Sequence, residues 1–180
     1  MSRKPYLAAI ALAAVLAAGA AIYARSHTGA VSSPTTISIR PGSISGRVPD
    51  VHGTAMNGHP VSLRADRGRP MLINFFAWWC DPCKREAPAL ATLGREFAGR
   101  VTMLAVSTDG SRSKTTAFAQ RYGWTWPVVL DSNLTWANAF RITGQPWTFL
   151  VDASGQIVWK HPGSISVGAV RSALHRLLRT

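Results

Sequence analysis

The chain has 180 residues, 47% of them apolar, and carries 20 Lys and Arg against 8 Asp and Glu for a formal charge of +12. That length and apolar content suit a single cored domain plus an appendage. The basic residues are scattered, Arg-rich and not clustered with stacking aromatics, so a generally basic surface is expected and no nucleic-acid site.

In chain order, residues 7–24 form an uninterrupted apolar stretch behind Arg3 and Lys4. At about 18 residues the stretch reaches the lower limit for crossing a bilayer. Residues 1–27 therefore read as a retained membrane anchor, with a cleaved export signal as the alternative. Ala18-Gly19-Ala20 and Thr28-Gly29-Ala30 both resemble small-residue cleavage sites. The basic flank predicts that the start of the chain stays in the cytoplasm and that everything after Arg25 is translocated. Residues 28–45, rich in Ser, Thr, Gly and Pro, read as a flexible tether, and residues 46–180 as the folded domain.

Within the domain, Asn57-Gly58 between short candidate strands predicts a hairpin over residues 51–63. His52 and His59 lie there as solvated loop histidines. Residues 71–77, short and apolar, predict a buried strand, and residues 84–97 a helix with Leu90, Leu93 and Phe97 on one face. Residues 101–107 predict a second buried strand. Thr108-Asp109-Gly110-Ser111 supplies turn and cap chemistry for a helix around residues 114–122. A short strand over residues 126–131, a short helix over 134–140, a hairpin over 148–160 and a final amphipathic helix over 167–178 complete the pattern. Strand, helix, strand, helix implies parallel pairing through right-handed crossovers.

The chemistry centres on Trp79-Cys80-Asp81-Pro82-Cys83, which holds the chain's only two cysteines. Two thiols separated by two residues, at the point where a strand gives way to a helix N-terminus, read as a thiol–disulfide redox centre. Unpaired amides and the positive end of the helix dipole stabilise a thiolate there, and the thiolate is the nucleophile of disulfide exchange. A structural bridge across so short a loop would restrict little chain. A zinc site lacks its other ligands, so no metal and no cofactor beyond the redox-active disulfide is expected.

Two separated motifs carry a family resemblance: Asn74-Phe75-Phe76-Ala77-Trp78-Trp79-Cys80-Asp81-Pro82-Cys83-Lys84-Arg85-Glu86-Ala87-Pro88, and Phe140-Arg141-Ile142-Thr143-Gly144-Gln145-Pro146-Trp147-Thr148-Phe149-Leu150-Val151-Asp152. The chain resembles the thioredoxin superfamily over residues 46–179, and most nearly its membrane-anchored TlpA/ResA/DsbE-like branch. The resemblance implies an α/β thioredoxin-like fold, a central mixed sheet flanked by helices, with the N-terminal hairpin as an extension and the anchor or signal helix before it. It implies an extracytoplasmic thiol:disulfide oxidoreductase acting on protein disulfides, often as a reductant in cytochrome c assembly. A membrane thiol donor would resupply electrons, and the chain is expected to be monomeric.

Residue by residue, the resemblance makes Cys80 the exposed attacking thiol and Cys83 the resolving thiol. Pro146 matches the family's cis-proline, leaving the Gln145 backbone free to pair with an extended substrate. Pro88 matches the proline that kinks the first helix. Glu86 matches an acid thought to handle protons near the cysteines, and Trp79 and Trp147 flank the substrate groove. In three places the sequence departs from the family pattern. Asn74 stands where cytoplasmic thioredoxins carry a buried acid, Trp147 where relatives usually have Thr, and Trp78 doubles the tryptophan before the motif. A disulfide oxidase and a copper(I)-delivery protein on the same cysteines are the competing readings. The context of a peroxidatic cysteine is missing.

Overall fold

The computed structural model describes residues 46–64 and 68–179. The expected anchor over residues 1–27 and tether over 28–45 lie outside them. Among the described residues no helix is long and apolar enough to cross a membrane.

The fold is built outward from β3, Met71–Phe76, whose six residues are all buried. Its side chains alternate between two cores, as a strand covered on both faces requires. Leu72 and Phe76 join one core with Leu90, Leu93, Phe97 and Leu174, while Ile73 and Phe75 join the other with Trp136, Phe140 and Phe149. Chain order runs β1 (His52–Thr54), β2 (Pro60–Ser62), β3, α1 (Asp81–Glu96), β4 (Thr102–Ser107), α2 (Arg112–Arg121) and β5 (Val128–Leu130). It continues with α3 (Thr135–Ala139), β6 (Trp147–Val151), β7 (Ile157–Pro162) and α4 (Val167–Leu177). The main sheet has the order β5-β4-β3-β6-β7. β3, β4 and β5 pair in parallel, whereas β6 and β7 are antiparallel additions. The sheet is therefore mixed, as expected, and the fold is thioredoxin-like α/β.

β1 and β2 form the expected hairpin, with strands of only three residues. It lies against one sheet edge, where Ala55 bridges Val129 and the Met56 N–H donates to the Val128 carbonyl at 2.7 Å. At the other edge Arg47 bridges Gln156 at the start of β7, and that strand then runs to Lys160, His161 and Pro162. α1 and α2 begin two or three residues earlier than the sequence periodicity predicts. α1 starts at Asp81 because Cys80 caps it and Pro82 is tolerated in a first turn.

α3 is short and begins after Leu134, which has φ 58° and supplies no side-chain cap. Buried Asp131 caps it from a distance, its two oxygens accepting the N–H groups of Trp136 at 3.1 Å and Ala137 at 2.9 Å. Asp131→Ala is expected to lower stability by about 2–4 kcal/mol, because it leaves buried helix amides unpaired. Thermal and denaturant unfolding would show this, and an unchanged midpoint would mean that water replaces the cap.

Candidate active site

Cys80 has extended backbone, φ −74° and ψ 111°, and occupies the N-cap of α1. Its Sγ accepts the Cys83 N–H at 3.2 Å, so this sulfur rests on the unpaired amides of the first turn. A disulfide joins Cys80 and Cys83, with 5.3 Å between their Cα atoms. Both residues are buried in this state, Cys83 at 1% exposure and Cys80 at 5%. Cys80 is thus the more accessible of the two but not the freely exposed thiol that the resemblance implies, because Ala77, the first turn of α1 and the Gln145 segment close around it.

The Gln145-Pro146 peptide is cis. The Gln145 carbonyl oxygen lies 3.8 Å from Cys80 Sγ, which brings residues 65 positions apart in sequence to one point. Beside it opens a groove of about 270 Å³ lined in part by Trp79, Thr108, Leu134, Asn138, Thr143 and Gln145. Trp79 at 51% and Leu134 at 42% are the exposed large hydrophobic side chains among the described residues, and both line this groove. The Trp79 indole N–H donates to Asp109 Oδ2 at 3.1 Å, while Asp109 Oδ1 accepts the Ser111 N–H at 2.7 Å. One carboxylate thereby fixes both the ring and the entry to α2.

Glu86 is buried on α1, one turn beyond Cys83. Its Oε1 accepts Asn74 Nδ2 at 3.0 Å and its Oε2 accepts the Ile165 N–H at 3.2 Å. Burial pushes its carboxyl pKa up, and the two hydrogen bonds pull only partly against that. Asn74 Nδ2 also donates to Thr148 Oγ1 at 3.0 Å, and Asn74 Oδ1 is buried without a partner. The strand position that lacks an acid is therefore joined to Glu86 directly. No hydrogen bond links Glu86 to either sulfur. Asp81, the neighbour of Cys80, pairs with Lys84 at 2.7 Å, and that ammonium holds its carboxyl below the usual range. The paired Lys84 charge partly offsets the repulsion that Asp81 would exert on a Cys80 thiolate.

Trp147 is not brought into the groove. It stacks on Phe149, ring centroids 5.7 Å apart and planes at 17°, and lines a separate recess with Arg47, Arg141 and Lys160. Trp78 is half-buried, with the Lys114 ammonium 4.0 Å above its ring and its indole N–H unpartnered.

Residues 44–160 match the model of the AhpC/TSA family. The chain belongs to the AhpC/TSA family. Within this thioredoxin-like family it is 32% identical over 123 residues to the thioredoxin-like protein YneN of Bacillus subtilis, covering 67% of this chain and 72% of YneN. It is 34% identical over 110 residues to the thiol-disulfide oxidoreductase ResA of Geobacillus kaustophilus, covering 61% of this chain and 63% of ResA. A solved thiol-disulfide oxidoreductase from Bacteroides fragilis superposes with a TM-score of 0.65 at 25% identity, covering 73% of this chain and 99% of that one. A thiol:disulfide interchange protein of Chlorobium tepidum shares the fold, with a TM-score of 0.68 at 24% identity over 76% of this chain and 98% of that one. With its Cys80–Cys83 pair, this AhpC/TSA member is a thioredoxin-like thiol–disulfide oxidoreductase of the ResA type.

Sequence reasoning passed over Asp109 and Leu134 as site residues. Asp109 sits in a turn signal and its reach to Trp79 is a tertiary fact. An exposed leucine at the start of a short helix carries no periodic signal at all.

Proposed function

We propose that this oxidoreductase reduces protein disulfides outside the cytoplasm. The Cys80 thiolate attacks a substrate disulfide and forms a mixed disulfide, with one substrate sulfur leaving as thiolate. The Cys83 thiolate then attacks the Cys80 sulfur, the second substrate sulfur leaves, and two electrons have passed from the dithiol to the substrate. The Cys80–Cys83 disulfide of the structure is the product state. A membrane thiol donor returns the electrons. The apocytochrome c cysteine pair is the substrate that the family resemblance favours.

Buried Glu86 carries this reading. A carboxylate held beneath the active-site helix by Asn74 and Ile165 disfavours a second negative charge on the nearby thiols. That weakens the thiolate and makes the pair more reducing. The Gln145 carbonyl at the cis-proline, with Trp79 and Leu134 beside it in the groove, supports a peptide substrate laid along the groove.

The deciding experiment is the reduction potential of the purified protein, measured by equilibration against thiol buffers. A value toward the thioredoxin end, about −270 mV, supports the reductase. A value near about −120 mV would assign the oxidase, which the Cys83 N–H on Cys80 Sγ favours. Copper(I) delivery is tested by competition for the metal against a colorimetric chelator, and stoichiometric capture by the reduced pair would support it.

We also place the domain on the outer face of the inner membrane through residues 1–27, on the strength of the apolar run and its basic flank. Full-length protein is expected in the membrane fraction, resisting salt extraction. Recovery of a shortened chain in the soluble periplasmic fraction would show cleavage instead.

A further inference from the structure

On the far side of Trp147 from the cis-proline lies a recess of about 400 Å³ that the redox chemistry does not use. Its floor is aromatic, with Trp147 stacked on Phe149 and Phe140 against the same ring at 4.9 Å. Its rim is cationic: Arg47, Arg141 and Lys160 line it, and none of the described carboxylates does. Arg47 donates to the Ser154 carbonyl at 3.3 Å, whereas the Arg141 guanidinium and the Lys160 ammonium have neither ion pair nor hydrogen bond among the described residues.

Arg141 adds an independent observation. It has φ 54°, directly after the end of α3, where a glycine would sit without strain. The backbone holds that turn through the Arg141 N–H to the Asn138 carbonyl at 3.0 Å, and among the described residues its side chain makes no hydrogen bond or ion pair. What the side chain offers is a charge at the mouth of the recess.

We propose that this recess docks an acidic segment of a protein partner, one that carries an aromatic or aliphatic side chain between carboxylates. Three cations without an ion pair among the described residues, around a concave apolar floor, match that chemistry, with the apolar side chain on Trp147 and the carboxylates on the rim. Trp147 follows the cis-proline without a break and opens β6, so the recess adjoins the strand that leads from the redox site. The inference rests on the protein-disulfide reading for the partner's identity, but not for the binding itself.

The test is fluorescence anisotropy of a labelled Asp-Glu-Phe-Glu-Asp peptide with the oxidised full-length protein at low ionic strength. It reads no turnover, so its outcome is separate from that of the reduction potential. The neutral Asn-Gln-Phe-Gln-Asn peptide is expected to bind about tenfold more weakly, and Arg141→Gly/Lys160→Gln to weaken the acidic peptide to a similar degree. Because Arg141→Gly relieves a positive φ, its unfolding midpoint is expected to stay level or rise, which separates lost binding from lost folding. The control pair Arg112→Gln/Arg121→Gln removes two charges from α2 and is expected to change affinity by less than about twofold. No binding, equal binding of the neutral peptide, or equal weakening by the control pair would each overturn the assignment. So would displacement by citrate at the peptide's own concentration, which would make the recess a small-anion pocket.

Discussion

Cys80→Ser is expected to reduce turnover of a protein disulfide to the uncatalysed rate, while Cys83→Ser accumulates mixed disulfides with partner proteins. The asymmetry follows from position. Cys80 lies beside the Gln145 carbonyl at the groove and is the less buried sulfur, so it meets the substrate. Cys83 is sealed inside α1 and reaches only Cys80, so its loss removes the step that releases the mixed disulfide and leaves the first attack intact. Insulin reduction and non-reducing gels of affinity-purified variants would check both. Equal trapping by the two single mutants would contradict the roles.

Glu86→Gln is expected to slow disulfide reduction on the order of 100-fold and to flatten the pH dependence of the domain's stability. Burial raises the Glu86 carboxyl pKa above the ordinary carboxylate range, so the folded state holds the proton more tightly than the unfolded chain. Glu86 therefore favours folding fully below about pH 4, and this contribution is lost as pH rises from the unfolded value through the raised folded one. The glutamine has no such loss, so the stability of Glu86→Gln relative to wild type should rise from acid toward neutral pH. The thiol pKa should fall in the variant, because a negative charge one helical turn away has gone. Melting curves across pH and a thiolate titration by ultraviolet absorbance would read both. If titration, turnover and melting all match wild type, Glu86 is a packing residue only.

How much of this was legible in the sequence depended on whether a signal was local. The apolar run over β3 and the thiol pair behind it announce a strand, a turn and a helix N-terminus, and the three follow in that order, with the helix opening at Asp81 rather than residue 84. The spacing of Val170, Leu174 and Leu177 likewise fixed the last helix. Contacts between distant segments were not legible. Asn74 reads as an absence in sequence, yet it clamps Glu86 and Thr148 across 12 and 74 residues. Trp147 reads as a groove residue because it adjoins Pro146, but alternation along β6 turns it onto Phe149 and away from the cysteines. The exposure expected of Cys80 failed for a related reason, since the segment that covers it arrives from residue 145.

The two borders of the five-stranded sheet have a bearing on selectivity toward unfolded clients. On the proposed function the enzyme meets extended, disulfide-bearing chains, and such chains can capture an outer strand by pairing with it as a further strand. Here the β5 border is already taken by the hairpin segment through Ala55 and Met56. The β7 border is taken at its start by Arg47 and ends in Lys160 and Pro162, a charge and a residue with no amide proton to offer. A client strand meets a partner segment or a charge at each of these outer positions, whereas the Gln145 carbonyl lies 3.8 Å from the Cys80 sulfur.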